Sequence, residues 1–241
     1  MTPSGRPAVP EVIWARPERA GRGPRPAHSR ESIAAEAVRI ADVEGIDAVS
    51  MRRVAAGIGA GTMSLYNYVP RKEDLYELMV DAVSAEYDYP ARPAGDWQAR
   101  LLHLARQTRA LMHRHPWLPR LISPVYGFSP HALRYLEYSL ACMDGLEIAA
   151  GQKMELIASV NGLVTTFVSG ELATAERSRS LPWTEDQDRA VRGAYLMGQV
   201  ATGRYPRLAE ALGEGLAPQD MDEVFERMLR RLFGSFLPTA P

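Results

Sequence analysis

The chain has 241 residues, 46% of them apolar, and a formal net charge of −1. That length allows one small and one larger unit, and that apolar share is ordinary for a globular protein. The charge balance does not advertise a nucleic-acid binder at whole-chain level. Cys142, the only cysteine, excludes an intrachain disulfide and a cysteine metal cluster.

Residues 1–27 hold Pro3, Pro7, Pro10, Pro17, Pro24 and Pro26 with glycines between them. Such a stretch cannot build a helix and has little to bury, so a mobile arm is expected. Across residues 1–30, Arg6, Arg16, Arg19, Arg22, Arg25 and Arg30 stand against Glu11 and Glu18, a net +4. The arm either adds phosphate or minor-groove contacts, as homeodomain arms do, or is a passive tail. Val12, Ile13 and Trp14 form a small apolar patch able to dock on the body. No N-terminal apolar run resembles a signal peptide.

A helix is expected from about Ser29 to Glu44, with Ile33, Ala37, Ile40 and Ala41 as its inner stripe and Gly45 as its stop. The next stretch, Ser50 to Lys72, reads SMRRVAAGIGAGTMSLYNYVPRK. It holds four cations (Arg52, Arg53, Arg71 and Lys72) and no acid, and acids follow at Glu73, Asp74, Glu77 and Asp81. Local charge matters more than the total for docking. Met51, Val54, Ala55 and Ile58 fall at helical spacing, and Ser50 can cap them. Gly57, Gly59 and Gly61 supply a sharp turn. Thr62 is expected to cap a second short helix.

In that helix Leu65 and Val69, four apart, share the face that packs on its predecessor. Met63, Ser64 and Asn67 then fall on the far side, with Tyr66 and Tyr68 on the flanks. A short, polar and aromatic face suits a helix whose N-terminal end enters a major groove. Asn67 carries a donor and an acceptor and can read adenine, and Met63 offers apolar contact to a thymine methyl. The hydroxyls of Thr62, Ser64, Tyr66 and Tyr68 reach phosphate, which sets register without reading sequence. Arg52 and Lys72 add charge at the edges of the site. An ordinary pair of surface helices with a solvated basic face would share the charge pattern, but not the glycine turn, the capping and the inside-out split together.

Residues from about Ser29 to Val83 resemble the DNA-binding domain of the TetR family of bacterial transcriptional regulators. The resemblance runs through the Glu44-Gly45 helix end, the S-M-R-R-V-A start at Ser50 and the SLYNYVPRKEDL run from Ser64. It implies an all-α fold with an N-terminal three-helix helix-turn-helix domain and a larger helical domain for ligand binding and dimerisation. It also implies a homodimeric, ligand-responsive regulator. Carried over by position, the DNA contacts are Ser50, Arg52, Thr62, Met63, Ser64, Tyr66, Asn67, Tyr68 and Lys72. Gly61 and Met63 depart from the bulkier polar or proline residues of some members, so base preference does not carry over. Residues 28–75 form the expected DNA-binding domain and residues 76–241 the body.

Pro70 ends the recognition helix, and a fourth helix from about Lys72 to Tyr87 carries Leu75, Leu78, Met79 and Ala82 inward. By the resemblance it joins reading head to body, and its tilt sets the distance between the two recognition helices of a dimer. Further helices are expected from Asp96 to His115, Ser129 to Gly145, Gln152 to Glu176, Thr184 to Thr202, and Pro218 to Phe236. The apolar stretch from Leu156 to Ala173 is broken by polar residues and glycines, and is expected as a buried helix rather than a membrane span.

The body resembles tetracycline-repressor-like C-terminal domains more weakly, through Arg114-x-His115-Pro116-Trp117-Leu118 and NGLVTTFVSGELA from Asn161. There the last helices of two subunits form a four-helix bundle. The candidates are the Glu185–Thr202 helix, with its small residues Gly193, Ala194, Gly198 and Ala201, and the apolar face of the last helix. A pocket for a flat or amphipathic effector of drug size is expected among His103, Trp117, Tyr126, Phe128, Tyr135, Tyr138, Asn161, Thr165 and Phe167.

No cofactor or metal is expected, since no histidine pair stands at i, i+4. Nucleotide, zinc-protease and nucleophile-elbow motifs are absent, so no enzyme is expected. The expected function is that of a cytoplasmic repressor that binds double-stranded operator DNA as a homodimer and leaves it on binding a small molecule, without membrane contact. The alternatives are an architectural DNA-binding protein without a ligand and a helical enzyme.

Overall fold

The computed structural model describes residues 12–16, 28–91, 94–122, 128–213 and 220–237. Ten α-helices and no strand occur among them. The helices are α1 (Arg30–Glu44), α2 (Met51–Gly57), α3 (Thr62–Leu65), α4 (Lys72–Ser84), α5 (Trp97–Arg114), α6 (Pro130–Cys142), α7 (Ala150–Ser180), α8 (Glu185–Ala201), α9 (Pro206–Gly213) and α10 (Met221–Gly234).

Helix starts follow local chemistry. The side chains of Ser29, Ser50, Asp96, Ser129 and Thr184 each accept a hydrogen bond from the backbone N–H three residues on. Each satisfies a donor that the first turn leaves without a partner. Ser32 returns the bond to Ser29 in a reciprocal box. Gly45 ends α1 at φ 84°, where an L side chain would be strained.

Helices α1, α2, α3 and α4 share one apolar cluster built on Ile33, Ala37, Ile40, Val54, Leu65, Val69, Leu75 and Met79. Ile13, 1% exposed, joins it from the N-terminal segment. Arg30 holds that segment by donating to the carbonyls of Ile13 and Arg16, and the Trp14 Nε1–H donates to Glu77 at 3.0 Å. Burying an isoleucine is worth about 1.5–3 kcal/mol. Residues 12–16 are thus a docked turn and depart from the arm expected over residues 1–27. Residues 1–11 and 17–27 lie outside the described residues.

In the body, α5 packs on α7, α6 packs on α4, and α10 packs against both α5 and α7. Helix α7 has 31 residues and is long and apolar enough to cross a membrane by length and composition. The buried helix expected over Leu156–Ala173 is buried along one face only. Leu156, Ile157, Val160, Val164 and Val168 face the core, while Met154, Thr166 and Ser169 are exposed.

Arg109 on α5 ties the three packed body helices together. It donates to Glu171 on α7 at 2.6 and 3.1 Å and to Asp222 on α10 at 2.7 Å. Its guanidinium lies 5.0 Å from the Phe225 ring centre and 5.5 Å from that of Phe167, a cation–π geometry.

Helices α8 and α9 bury no residue of their own. The α7–α8 corner is pinned by Asp188, which accepts from Arg177, Trp183 and Arg192. Arg177 first, aided by the other two, pulls the Asp188 carboxyl down to about 2. A depressed folded value stabilises above the ordinary carboxylate range and is lost as pH falls through it. Amide protection at the start of α8 should therefore drop between about pH 4 and pH 2. Asp188→Asn should lower protection at neutral pH and remove the acid step, and an unchanged acid step would contradict this.

Candidate nucleic-acid interface

Helices α2 and α3 meet across a turn in which only Gly59 takes a positive φ, at 70°. Gly61 sits at φ −73° and occupies the N-cap of α3 without a side-chain bond. The expected Thr62 cap is thus corrected, because Thr62 is already the first helical residue. Gly57 has a different role from the turn role its spacing implied. A Cβ there would lie 1.9 Å from a carboxylate oxygen of Glu36 on α1. That atom is the end of a flexible side chain, so a small residue there would displace the Glu36 carboxylate rather than part the helices.

The inside-out split on α3 is sharp. Leu65 is 1% exposed and Val69 is fully buried, whereas Met63 is 79% exposed. Ser64, Tyr66 and Asn67 are exposed, and Thr62 and Tyr68 are half-buried. Helix α3 itself is one turn long, and Tyr66–Tyr68 continue it as turns. The outward set combines amide, hydroxyl, phenol and thioether groups, which can meet base edges and phosphates.

The four cations of this stretch are not equivalent. Arg53 pairs with Glu44, and Arg71 donates to Asp74 at 2.5 and 3.1 Å. Among the described residues, no carboxylate forms an ion pair with Arg52 or Lys72. Both are exposed, and the Lys72 ammonium lies 5.3 Å from the Tyr76 ring centre. Ser50 is exposed while its hydroxyl accepts from Arg53 N–H at 3.3 Å. Arg53 and Arg71 are thus engaged by Glu44 and Asp74, whereas Arg52 and Lys72 keep exposed charges beside the outward face.

The residues expected to line an effector pocket do not converge. His103 and Phe128 are exposed. Trp117 is buried at the junction with α1, where its Nε1–H donates to Asp42 at 2.7 Å. Phe167 packs tilted against Phe225, ring centres 5.1 Å apart, within the α5–α7–α10 core. Tyr126 lies outside the described residues. Thr165 is half-buried on α7, one turn beyond Asn161.

Tyr135 and Asn161 do meet, with the phenol donating at 2.6 Å. Burial, opposed by hydrogen bonding with Thr108, Ser139 and Asn161, pushes the Tyr135 phenol up to about 12, so it remains a donor at neutral pH. Nearby, Tyr87 donates to Thr108 at 3.0 Å, and Tyr138 packs 4.8 Å from Tyr89. The hollow between Leu101, Leu104, Ala105, Tyr135, Ser139, Ile157 and Val160 is about 10 Å³, on the order of one water. A drug-sized guest needs roughly 300 Å³ or more, so this part of the core is closed.

A one-turn helix offering a polar and aromatic face beyond a glycine turn, set on an all-helical body, defines a helix-turn-helix DNA-binding protein. Residues 89–234 match the family described as "Tetracyclin repressor-like, C-terminal domain". The HTH-type transcriptional repressor DrrR1 of Streptomyces coeruleorubidus is 36% identical over 215 residues, covering 88% of this chain and 78% of that protein. An HTH-type transcriptional regulator of Saccharopolyspora erythraea is 28% identical over 83% of this chain and 81% of its own length. ActR of Streptomyces coelicolor, a TetR family protein crystallised with actinorhodin, has the same fold. It superposes with a TM-score of 0.71 at 24% identity, over 87% of this chain and 96% of its own. This chain belongs to the TetR family of transcriptional regulators.

Proposed function

We propose that this regulator is a homodimeric repressor that reads a pseudo-palindromic operator through the outward face of residues 62–68. A small molecule taken up by the body releases it. The observation that carries the reading is the exposure of Met63, Ser64 and Asn67 over a buried Leu65. Among the described residues such a face has no packing role, and its chemistry fits a major groove. Ser50, Arg52, Thr62, Tyr66, Tyr68 and Lys72 surround it as phosphate and edge contacts. Relatives named as repressors support the sign of regulation, and BioQ, a structural neighbour, was crystallised on its operator duplex.

Dimerisation is supported by helices that the described residues leave uncovered. On α8, Val191, Tyr195 and Met197 are exposed, and Ala194, Gly198 and Ala201 provide small surfaces for close approach. On α10 the apolar face divides in two. Phe225, Leu229 and Phe233 are spent on the subunit's own core, while Met221 and Met228 stay exposed. The outer strip joins α8 in the proposed interface.

Effector binding is supported by ActR, whose crystals hold actinorhodin. In this chain a guest would have to part α5, α6 and α7 near Tyr135 and Asn161, because the hollow there is closed. A coupling of about 1–3 kcal/mol would change operator affinity roughly 5–150-fold. Transcriptional control places the activity in the cytoplasm, and the role is regulatory rather than catalytic.

Asn67→Ala should change which operator bases are preferred. Lys72→Ala should weaken all sequences alike and lower the slope of log affinity against log salt by about one. Binding to a panel of single-base operator variants at several salt concentrations checks both. Identical profiles for the two variants would refute this division of roles.

A further inference from the structure

Besides the packing of α6 on α4, the body reaches the DNA-binding domain at a second place. Residues Leu118–Arg120 form a short 3-10 turn after α5. Leu118 and Leu121 are buried, and the turn packs against α7. Just before it, the Trp117 indole N–H donates to Asp42 on α1 at 2.7 Å. From this seat Arg120 extends to the other domain. Its two terminal nitrogens donate to the Asp47 carboxylate at 2.9 and 3.0 Å. Asp47 lies in the Ile46–Ala48 turn, which leads into Ser50, the N-cap of α2.

The two side chains are 60% and 83% exposed. An exposed pair of this kind adds little to stability, because water screens the charges and both side chains lose freedom. Its charge, rather than its packing, is what this position can use. Arg120 holds the Asp47 carboxyl below the usual carboxylate range, and the Lys72 ammonium adds to the pull. Lys72 lies 5.3 Å from the Tyr76 ring centre, and Tyr76 joins Asp47 in raising the Arg120 guanidinium. The pair therefore stands at the edge of the DNA-facing surface, within electrostatic reach of a proposed phosphate contact.

We propose that Arg120 is a charge mask for Asp47: a residue of the body cancels a carboxylate that would otherwise repel the operator backbone beside Lys72. Duplex DNA carries one negative charge per roughly 1.7 Å of its axis, so an uncovered carboxylate at its edge opposes binding at every sequence. Arg120 acts through Asp47 and not through a phosphate of its own. The mask belongs to the body and rests on α7. Withdrawing the Leu118–Arg120 turn would add one uncompensated negative charge per subunit at the operator. That gives the body an electrostatic route to release, additional to a change in the separation of the recognition helices.

The inference rests on the DNA-reading role proposed above. Its test is a charge cycle: wild type, Arg120→Ala, Asp47→Asn and the double variant, each measured on a duplex that the wild type selects from a random pool. One unit charge roughly 8 Å from a phosphate in water changes affinity about 2.5-fold, hence about 6-fold for two subunits. At an ionic strength of about 0.01 M the Debye length is roughly 30 Å, and screening is slight. There Arg120→Ala should bind about 6-fold more weakly than the wild type, and Asp47→Asn about 6-fold more tightly. The double variant restores the balance of charge and should fall within about 2-fold of the wild type. All three differences should shrink at about 0.15 M, where the Debye length is roughly 8 Å. Urea midpoints should match in the four proteins, since both side chains are exposed.

The opposite signs of the two single variants set a mask apart from a structural tie. A tie would weaken binding in all three variants, and that result would overturn the mask. A double variant well below the wild type would mean that Arg120 meets a phosphate itself, which overturns the mask too. Equal affinities in all four proteins would do the same. In each of these cases the DNA-reading role stands. If the wild type selects no duplex, that role and the mask fall together.

Discussion

Replacing Leu65 by alanine is expected to abolish operator binding while the body stays folded. Leu65 is the only residue of α3 that is buried, at 1% exposure, in the cluster that includes Val54, Ala55 and Val69. Truncating a buried leucine costs about 2–5 kcal/mol, and the cost rises with the cavity left behind. A one-turn helix has little intrinsic stability of its own, so that loss removes the seat of the whole outward face. Segment-resolved amide exchange should show α2 and α3 unprotected, with α5 and α7 unchanged. Met63→Ala is the matched control. An exposed side chain costs within about 0.5 kcal/mol of stability, yet its loss should weaken binding to thymine-bearing operators. Near-native operator affinity in Leu65→Ala would remove the packing basis of the site.

The second large effect is expected at Phe225. Its ring is 1% exposed, tilted against Phe167, and covered by the Arg109 guanidinium. Phe225→Ala should cost about 3–5 kcal/mol by cavity formation, to which the lost cation–π contact adds. The residue also holds α10 in register, so that Met221 and Met228 face outward. Chemical denaturation should report the stability loss, and sedimentation should show a larger monomer fraction at equal concentration. A loss below about 1 kcal/mol would mean that α10 is not anchored through this ring.

What the sequence made legible was mostly local. A cap is a bond between neighbours three residues apart, so Ser50 could be read as one by inspection, and Ser29, Asp96, Ser129 and Thr184 were legible as helix starts. Thr62 misled because Gly61 already supplies the extended N-cap backbone at φ −73°. The Leu65/Met63 split was legible because a helix face is fixed by angular spacing alone. Gly57 was misread as a turn residue, since it closes α2 with helical backbone and only Gly59 takes a positive φ. Helix α9 was overlooked. It has only eight residues, too few for a helical period to stand out from the surrounding loop.

The effector residues were the least legible. Aromatic side chains serve equally as pocket wall, core or surface, and only tertiary placement separates them. His103 went to solvent, Phe167 to the α10 contact and Trp117 to Asp42. The R-x-H-P-W-L run did carry a signal, but of a different kind. A histidine and a tryptophan with ring N–H groups need buried acceptors, and Asp42 and Glu86 provide them.

The central claim is that the outward face of residues 62–68 enters the major groove twice, once from each subunit. Protection of guanine N7 from methylation, on a duplex selected by the protein, reports major-groove occupancy base by base. Two protected patches related by a dyad are predicted, with centres one helical turn, about 10 base pairs, apart or a multiple of it. Both patches should disappear in Leu65→Ala. A single unpaired patch, or protection of the backbone with every N7 left reactive, would contradict the account.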